Sequence, residues 1–414
     1  MTVSLATIQK AAQIIAGSVI RTPLVRAQHL QSILGFDVFL KLENLQNIGS
    51  FKQRGALVKL KSLSPQEAEA GVIAMSAGNH AQGVAYHAQK LGIPAVIVMP
   101  LGTPFGKIEA TSRYGARVIL DGDSVDAAGQ YAREIAKKDG LTFVHPFDDE
   151  HIIAGQGTIG LELLEDCPDL DTVIVPIGGG GIIAGIATAI KSLKPNIEII
   201  GIESTLYPSM YCALRGEKAV FGGPTIAEGI ALKSAGEIPK EIAARLVDDI
   251  FLVDDLAIET AVQILAEKCH IVAEGAGAAS LAGALANRSR FTNKKVALII
   301  CGGNIDSRIL ASVLLRGMVR EGRMASLRVE ISDRPGTLSK VAKVIGDTGG
   351  NIVEVIHQRM FYDVPVRSAE LDCVVETRNR SHVQEIVNRL REVGFPASIL
   401  RATQAEEVDK AILL

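Results

Sequence analysis

Lys52 stands directly after Phe51 in NIGSFKQRGA and opens a helix-compatible run, KQRGALVKLKSL. A cation on the first turn of a helix meets the positive end of the macrodipole, which disfavours its charge by roughly 0.3 kcal/mol or more. Burial would push the amine further toward its neutral form. A neutral amine is what a lysine needs to condense with an aldehyde and afterwards to act as a base. By itself the position is better explained as an ordinary solvated lysine, which most lysines are.

Three further clusters share that register. In SAGNHAQG, residues 76–83, the small residues Ser76, Ala77 and Gly78 leave backbone N–H groups open where a helix begins, a natural seat for a carboxylate. Asn79 adds an amide donor suited to a ring hydroxyl, and His80 reads as a supporting residue rather than a proton shuttle. A functionally empty βα turn capped by Asn and His accounts for the same letters. In TVIVPIGGGGIIAG, the glycines Gly178, Gly179, Gly180 and Gly181 lie where strand, tight turn and helix start converge, so a phosphate there would receive several N–H donors and the helix dipole. A dinucleotide loop competes, because the string from Gly178 to Ala184 loosely fits GxGxxG and Glu203 lies about 20 positions on. A Walker loop is excluded, since no GK[ST] follows. In ALIICGGNIDSR, Cys301 closes an apolar run before a second glycine turn, as a weak neutral hydrogen-bond partner or as a small core hydrophobe.

The elements that must position these clusters are short apolar runs at 38–43, 72–77, 95–100, 117–122, 172–177, 197–203, 249–254 and 296–303, each read as a buried strand. Amphipathic segments such as HAQGVAYHAQKLG, SVDAAGQYAREIAKKDG and IIAGIATAIKSLK separate them as crossover helices. Repeated βα units predict an α/β fold with doubly wound, mostly parallel sheets. The pattern changes near residue 320. Beyond it, SLRVEIS, GTLSKVAKVIGDTG, NIVEVIHQRM, SAELDCVVET, SHVQEIVNRLREVG and PASILRA read as βαββαβ, a ferredoxin-like unit. The expected domains are therefore 1–320, with a smaller subdomain at about 45–150, then 325–402 and a tail at 403–414.

Bulk properties narrow the ligand class. With 43 basic and 46 acidic residues among 414, the formal net charge of −3 offers no footprint for nucleic acid or an anionic membrane. Small neutral or zwitterionic ligands fit better. Five scattered cysteines, without a CxxC pair, suggest neither a disulfide framework nor a zinc site, and no acidic cluster has convincing metal spacing. The amino-terminal stretch lacks the features of a signal peptide and no run of about 18 apolar residues occurs, so a cytoplasmic location is expected.

Together, GSFKQRGA, SAGNHAQG, PIGGGGIIAG and CGGN, in this order and at strand ends, resemble the fold-type II (tryptophan-synthase β-like) pyridoxal-phosphate enzymes, specifically the threonine and serine dehydratases. The resemblance spans nearly the whole chain. It implies pyridoxal 5′-phosphate held covalently by Lys52, with Phe51 packed on the ring, Asn79 bonded to the 3′-oxygen, Gly178 to Gly181 around the phosphate and Cys301 at the pyridine nitrogen, where a serine is often seen. Ser76, Ala77, Gly78 and His80 would surround the substrate carboxylate. The C-terminal DRPGTLSKVAKVIGDTGGNI is similar to an ACT domain, which implies amino-acid regulation, with Asp333, Pro335, Gly336, Leu338 and Asn351 lining an effector site. A domain that serves only to assemble subunits is the alternative. By the resemblance the chain forms a homo-oligomer, a tetramer ahead of a dimer. Three other readings stay open: a racemase of the same fold, a nicotinamide-dependent oxidoreductase and a non-catalytic amino-acid sensor.

Overall fold

The structure, a computed structural model, describes residues 3–358 and 368–400 and separates into two compact units, Met1–Asp306 and Ser307–Leu414. The proposed tail at 403–414 lies outside the described residues.

The first unit holds ten strands: β1 Leu24–Arg26, β2 Asp37–Lys41, β3 Val72–Met75, β4 Ala95–Met99, β5 Arg117–Leu120, β6 Thr142–Phe143, β7 Thr172–Pro176, β8 Glu198–Ser204, β9 Asp249–Val253 and β10 Lys295–Ile299. They form a six-stranded sheet, β1-β2-β10-β7-β8-β9, in which only β1 is antiparallel, and an all-parallel four-stranded sheet, β5-β4-β3-β6. The eight runs marked as strands in the sequence are all strands here. β1 and β6, of three and two residues, carry too short a pattern to be read. The strand order puts the chain's clusters at carboxyl ends of parallel strands, because each crossover helix returns beneath its sheet. β7 is buried along its whole length, so its continuous apolar run is what a strand covered on both faces requires.

The helix Lys52–Lys61 is wedged against the helices Asn79–Leu91 and Glu150–Asp166. Its contact with Glu150–Asp166 is backbone to backbone: a Cβ on Gly155 would lie 2.5 Å from the Cα of Gly55. Any larger residue at either glycine would push the lysine-bearing helix away from its support.

In the second unit, the helix Ser307–Arg320 leads into β11 Met324–Ser332, followed by the helix Thr337–Asp347, β12 Asn351–Gln358, β13 Ser368–Glu376, the helix Arg380–Glu392 and β14 Ala397–Ile399. After the leading helix this is βαββαβ, in an antiparallel sheet of order β12-β13-β11-β14. Its core is built from alternate strand residues, Leu327, Val329, Leu371, Cys373 and Val375 among them, against Val341, Ile345, Ile386 and Leu390 of the two helices.

Candidate active site

Lys52 is the first residue of its helix and no side chain caps that helix from Phe51. Its amine is drawn off instead: Nζ donates to the carbonyl oxygen of Pro146 at 2.6 Å and lies 5.2 Å from the centre of the Phe51 ring. Burial brings its pKa down to about 8, with the nearby Cys301 opposing. The dominant cause is desolvation, which outranks every electrostatic contribution. Just ahead of Lys52, the Phe51 N–H donates to the Cys301 carbonyl oxygen at 3.0 Å and Ser50 bridges to Gly302, so the end of β10 is stitched to the lysine. The Cys301 thiol is buried, and burial followed by the field of Glu274 holds it well above its ordinary pKa and therefore neutral.

The loop from Ser76 to Gly78 links β3 to the helix Asn79–Leu91. Ser76 Oγ accepts from the Gly78 N–H at 3.1 Å, and the first intrahelical bond runs only from Gln82 to Gly78. The N–H groups of Asn79, His80 and Ala81 thus open the helix with no acceptor among the described residues. The His80 ring is buried with Nε2 set 2.9 Å from the Val144 carbonyl, and burial plus Lys52 lower its pKa to about 3. A carbonyl needs a donor, so Nε2 carries the proton and Nδ1, which has no partner among the described residues, is a bare acceptor. Any carboxylate contact from His80 must come from its backbone. Asn79 is held at both ends of its amide, by Asn304 and by Glu274, each at 2.7 Å.

The N–H groups of Gly178, Gly179 and Gly180 donate to no backbone carbonyl among the described residues. Gly180 has φ of +92° and caps the buried helix Gly181–Leu193, a backbone that side chains resist. A Cβ on Gly179 would strike the Phe147 ring at 2.2 Å. Phe147 in turn follows Pro146, so one short segment touches both the glycine turn and the lysine amine. Glu203, the acid that favoured a dinucleotide loop, accepts from the N–H groups of Met210 and Tyr211 at 2.8 Å each and from Ser209 Oγ at 3.2 Å. It caps the next helix, leaving no role for it at a ribose.

Orphaned N–H donors at a helix start, a desolvated amine, and the unpartnered buried hydroxyl of Ser50 suit a phosphorylated aldehyde. Residues 15–302 match the family described as pyridoxal-phosphate dependent enzyme, and residues 320–394 match the ACT domain. The chain belongs to the pyridoxal-phosphate dependent enzymes. It is 43% identical over 400 residues to L-threonine ammonia-lyase of Thermotoga maritima, covering 96% of this chain and 100% of that one. Among solved structures it is similar to the processed form of threonine deaminase isoform 2 from Solanum lycopersicum (TM-score 0.71, 36% identity, 76% of this chain and 87% of that one). It is also similar to maize serine racemase (TM-score 0.71, 33% identity, 77% and 99%).

In this enzyme the structure brings Lys52, Phe51, Asn79, His80 and Cys301 together with the glycine turn, by way of Pro146 and Phe147. Sequence reasoning missed both of those residues, along with Ser50, Glu274 and Asn304. Asn304 belongs to the CGGN string already singled out, while Glu274 was signalled only by the small-residue run GAGAAS behind it. The residues expected around an effector do not all meet. Asn351 and Met324 are both level with Glu376 of β13, at the start of β11, whereas Asp333, Pro335, Gly336 and Leu338 follow its far end, about 26 Å away along the strand. The helix Thr337–Asp347 carries the chain back between the two. Within one chain the five are separated, as an effector site formed at a subunit interface allows, and Asn351 is engaged with Glu376 at 3.1 Å.

Proposed function

We propose that the enzyme converts L-threonine to 2-oxobutanoate and ammonia, and L-serine to pyruvate less well, under the control of an amino acid bound by its ACT domain. The observation that carries this reading is the Lys52 amine, lowered to about 8 and drawn to the Pro146 carbonyl beside Phe147, the residue that packs on Gly179 of the glycine turn. When bound, pyridoxal phosphate supplies a covalent hold on the substrate nitrogen and a sink for the electrons left at Cα. The protein supplies the rest. Lys52 holds the aldehyde and, once displaced, takes the Cα proton as a neutral amine. Ser76, Ala77, Gly78 and His80, with the open N–H groups at 79–81, surround the substrate carboxylate, and Gly178 to Gly181 hold the phosphate. Phe51 packs beside the lysine, and the neutral Cys301 thiol can only be a weak partner for a ring nitrogen. Losing the β-hydroxyl as water and regaining water at the imine leaves the keto acid and ammonia.

Ala77 speaks against the racemase reading, because a methyl group cannot deliver a proton to the face of Cα opposite Lys52. Threonine is favoured over serine by one methyl contact, about 1–3 kcal/mol. Purified enzyme should release 2-oxobutanoate from L-threonine, and borohydride should fix pyridoxal phosphate to Lys52. Rapid interconversion of D- and L-serine without keto acid would defeat the assignment. For the effector, the turn from Asp333 through Leu338, exposed except at Thr337 and with Gly336 at φ +85°, is the favoured contact, and isoleucine and valine are the first ligands to titrate against activity. A homo-oligomer in the reducing cytoplasm accords with five free cysteines.

A further inference from the structure

Glu274 precedes the helix Gly275–Ala286, where an acid ordinarily accepts N–H groups of the first turn. It makes no such cap. Its Oε1 accepts instead from Asn79 Nδ2 at 2.7 Å. The direction of that bond is dictated from the other end of a chain. Asn304 Nδ2 donates to the Ile48 carbonyl oxygen and to Asn79 Oδ1, each at 2.7 Å. A backbone carbonyl can only accept, so it fixes which end of the Asn304 amide faces it. Asn79 must then turn its oxygen to Asn304 and its nitrogen to Glu274. The second hydrogen on Asn79 Nδ2 remains for the site. Gly302 makes room for this: a Cβ there would lie 2.2 Å from Glu274 Oε1 and 3.2 Å from Asn79 Nδ2. The Glu274 N–H donates to Gly302 O at 3.1 Å, and Gly302 bridges to Ser50, two residues before Lys52.

We propose that Glu274 is a positioning residue for the reaction, anchoring the Asn79 amide so that one N–H is held toward the cofactor ring, with its charge state setting the strength of that donor. The inference deepens the function proposed above and rests on it. Burial raises the Glu274 carboxyl to about 7, with the Asn79 bond and Lys107 opposing and Glu228 adding to the rise. Lys107 comes from the helix Phe105–Ser112 and is paired with Glu228 on the turn Glu228–Ile230, while Cys301 faces Glu274 from beyond β10. An ionised Glu274 pulls the shared hydrogen and leaves electron density on Nδ2, which weakens the remaining N–H; protonation strengthens it.

The test is a pH titration of the absorbance of bound pyridoxal phosphate, in holoenzyme carrying Glu274, Glu274→Gln or Glu274→Ala. Wild type should show a spectral step centred near 7 that Glu274→Gln, which keeps an acceptor oxygen but no charge, lacks. Glu274→Ala should bind pyridoxal phosphate about tenfold more weakly. A wild type without the step, a Glu274→Gln protein that titrates like wild type, or a Glu274→Ala protein with unchanged cofactor affinity overturns the inference. Should Glu274→Ala not fold, the Gln variant decides. Borohydride labelling of wild-type Lys52 separates the two levels: no label sinks the proposed function, whereas a label with an unaltered Gln titration sinks only the role of Glu274.

Discussion

Lys52 and Arg54 stand two residues apart on one helix, and the protein treats their charges in opposite ways. Arg54 is fully buried, yet it remains a cation. Burial works against its charge, but Glu43 and Glu162 more than offset it and raise its pKa. Its Nε and Nη2 reach Glu43 at 2.8 Å each, and Nη1 and Nη2 reach Glu162 at 2.6 and 2.9 Å. Lys41 completes the cluster, donating to Glu162 at 2.6 Å and to the Thr22 carbonyl at 2.7 Å. Lys52 meets a carbonyl and a thiol but no carboxylate, so its desolvation outweighs the opposing effect of Cys301. Burial by itself therefore does not select the nucleophile. The supply of carboxylates does, and a helix whose foot is bolted by ions can hold its uncompensated amine in place one half-turn away.

The sharpest break in that comparison is Lys52→Ala, which should lower 2-oxobutanoate formation by about three orders of magnitude or more and abolish the cofactor's visible band. Full turnover in that variant would place the chemistry elsewhere. Next comes Arg54→Met, which strands the buried Glu43 without its cation, leaves Glu162 with Lys41 alone, and should cost about 3–5 kcal/mol in urea unfolding. An unchanged urea midpoint would mean that the ion cluster does not support the helix. Gly179→Ala sharpens the contrast from the cofactor side. Its methyl meets the Phe147 ring, and overpacking of this kind costs about 1–3 kcal/mol, read as a tenfold to hundredfold loss of pyridoxal phosphate affinity by equilibrium titration.

The most gradual effect is a linkage. Lys52 falls from an unfolded value of 10.5 to about 8, so between these values the unfolded chain binds more protons than the folded one. Stability of the cofactor-free protein should therefore rise with pH through that window, by at most about 1.4 kcal/mol for each pH unit. Lys52→Met should lack this rise and unfold at higher urea than wild type below pH 8. A wild type and variant with parallel pH profiles would show that the amine is not desolvated.

The eight long strands and the βαββαβ order were legible because buried parallel strands write continuous apolar runs and amphipathic helices write a 3.6-residue period. The four glycine- and lysine-bearing clusters were legible as strings. VFLKLE was read correctly as a strand, yet nothing in it says that Lys41 and Glu43 lie buried in one ion cluster with Arg54 and Glu162. Asn351 was grouped with the Asp333 turn by the resemblance to an ACT domain. The register puts them at opposite ends of β11.

What the order of residues determined alone was local: where strands, helices and tight turns begin, and which turns expose N–H groups. Those properties depend on neighbours a few positions away. Which lysine loses its charge, which acid leaves its own helix to grip Asn79, and which carbonyl orients that grip were decided by contacts spanning up to 256 positions, such as Asn304 to Ile48. Dielectric and hydrogen-bond partners belong to the packed interior, and no stretch of sequence contains them until the chain has folded.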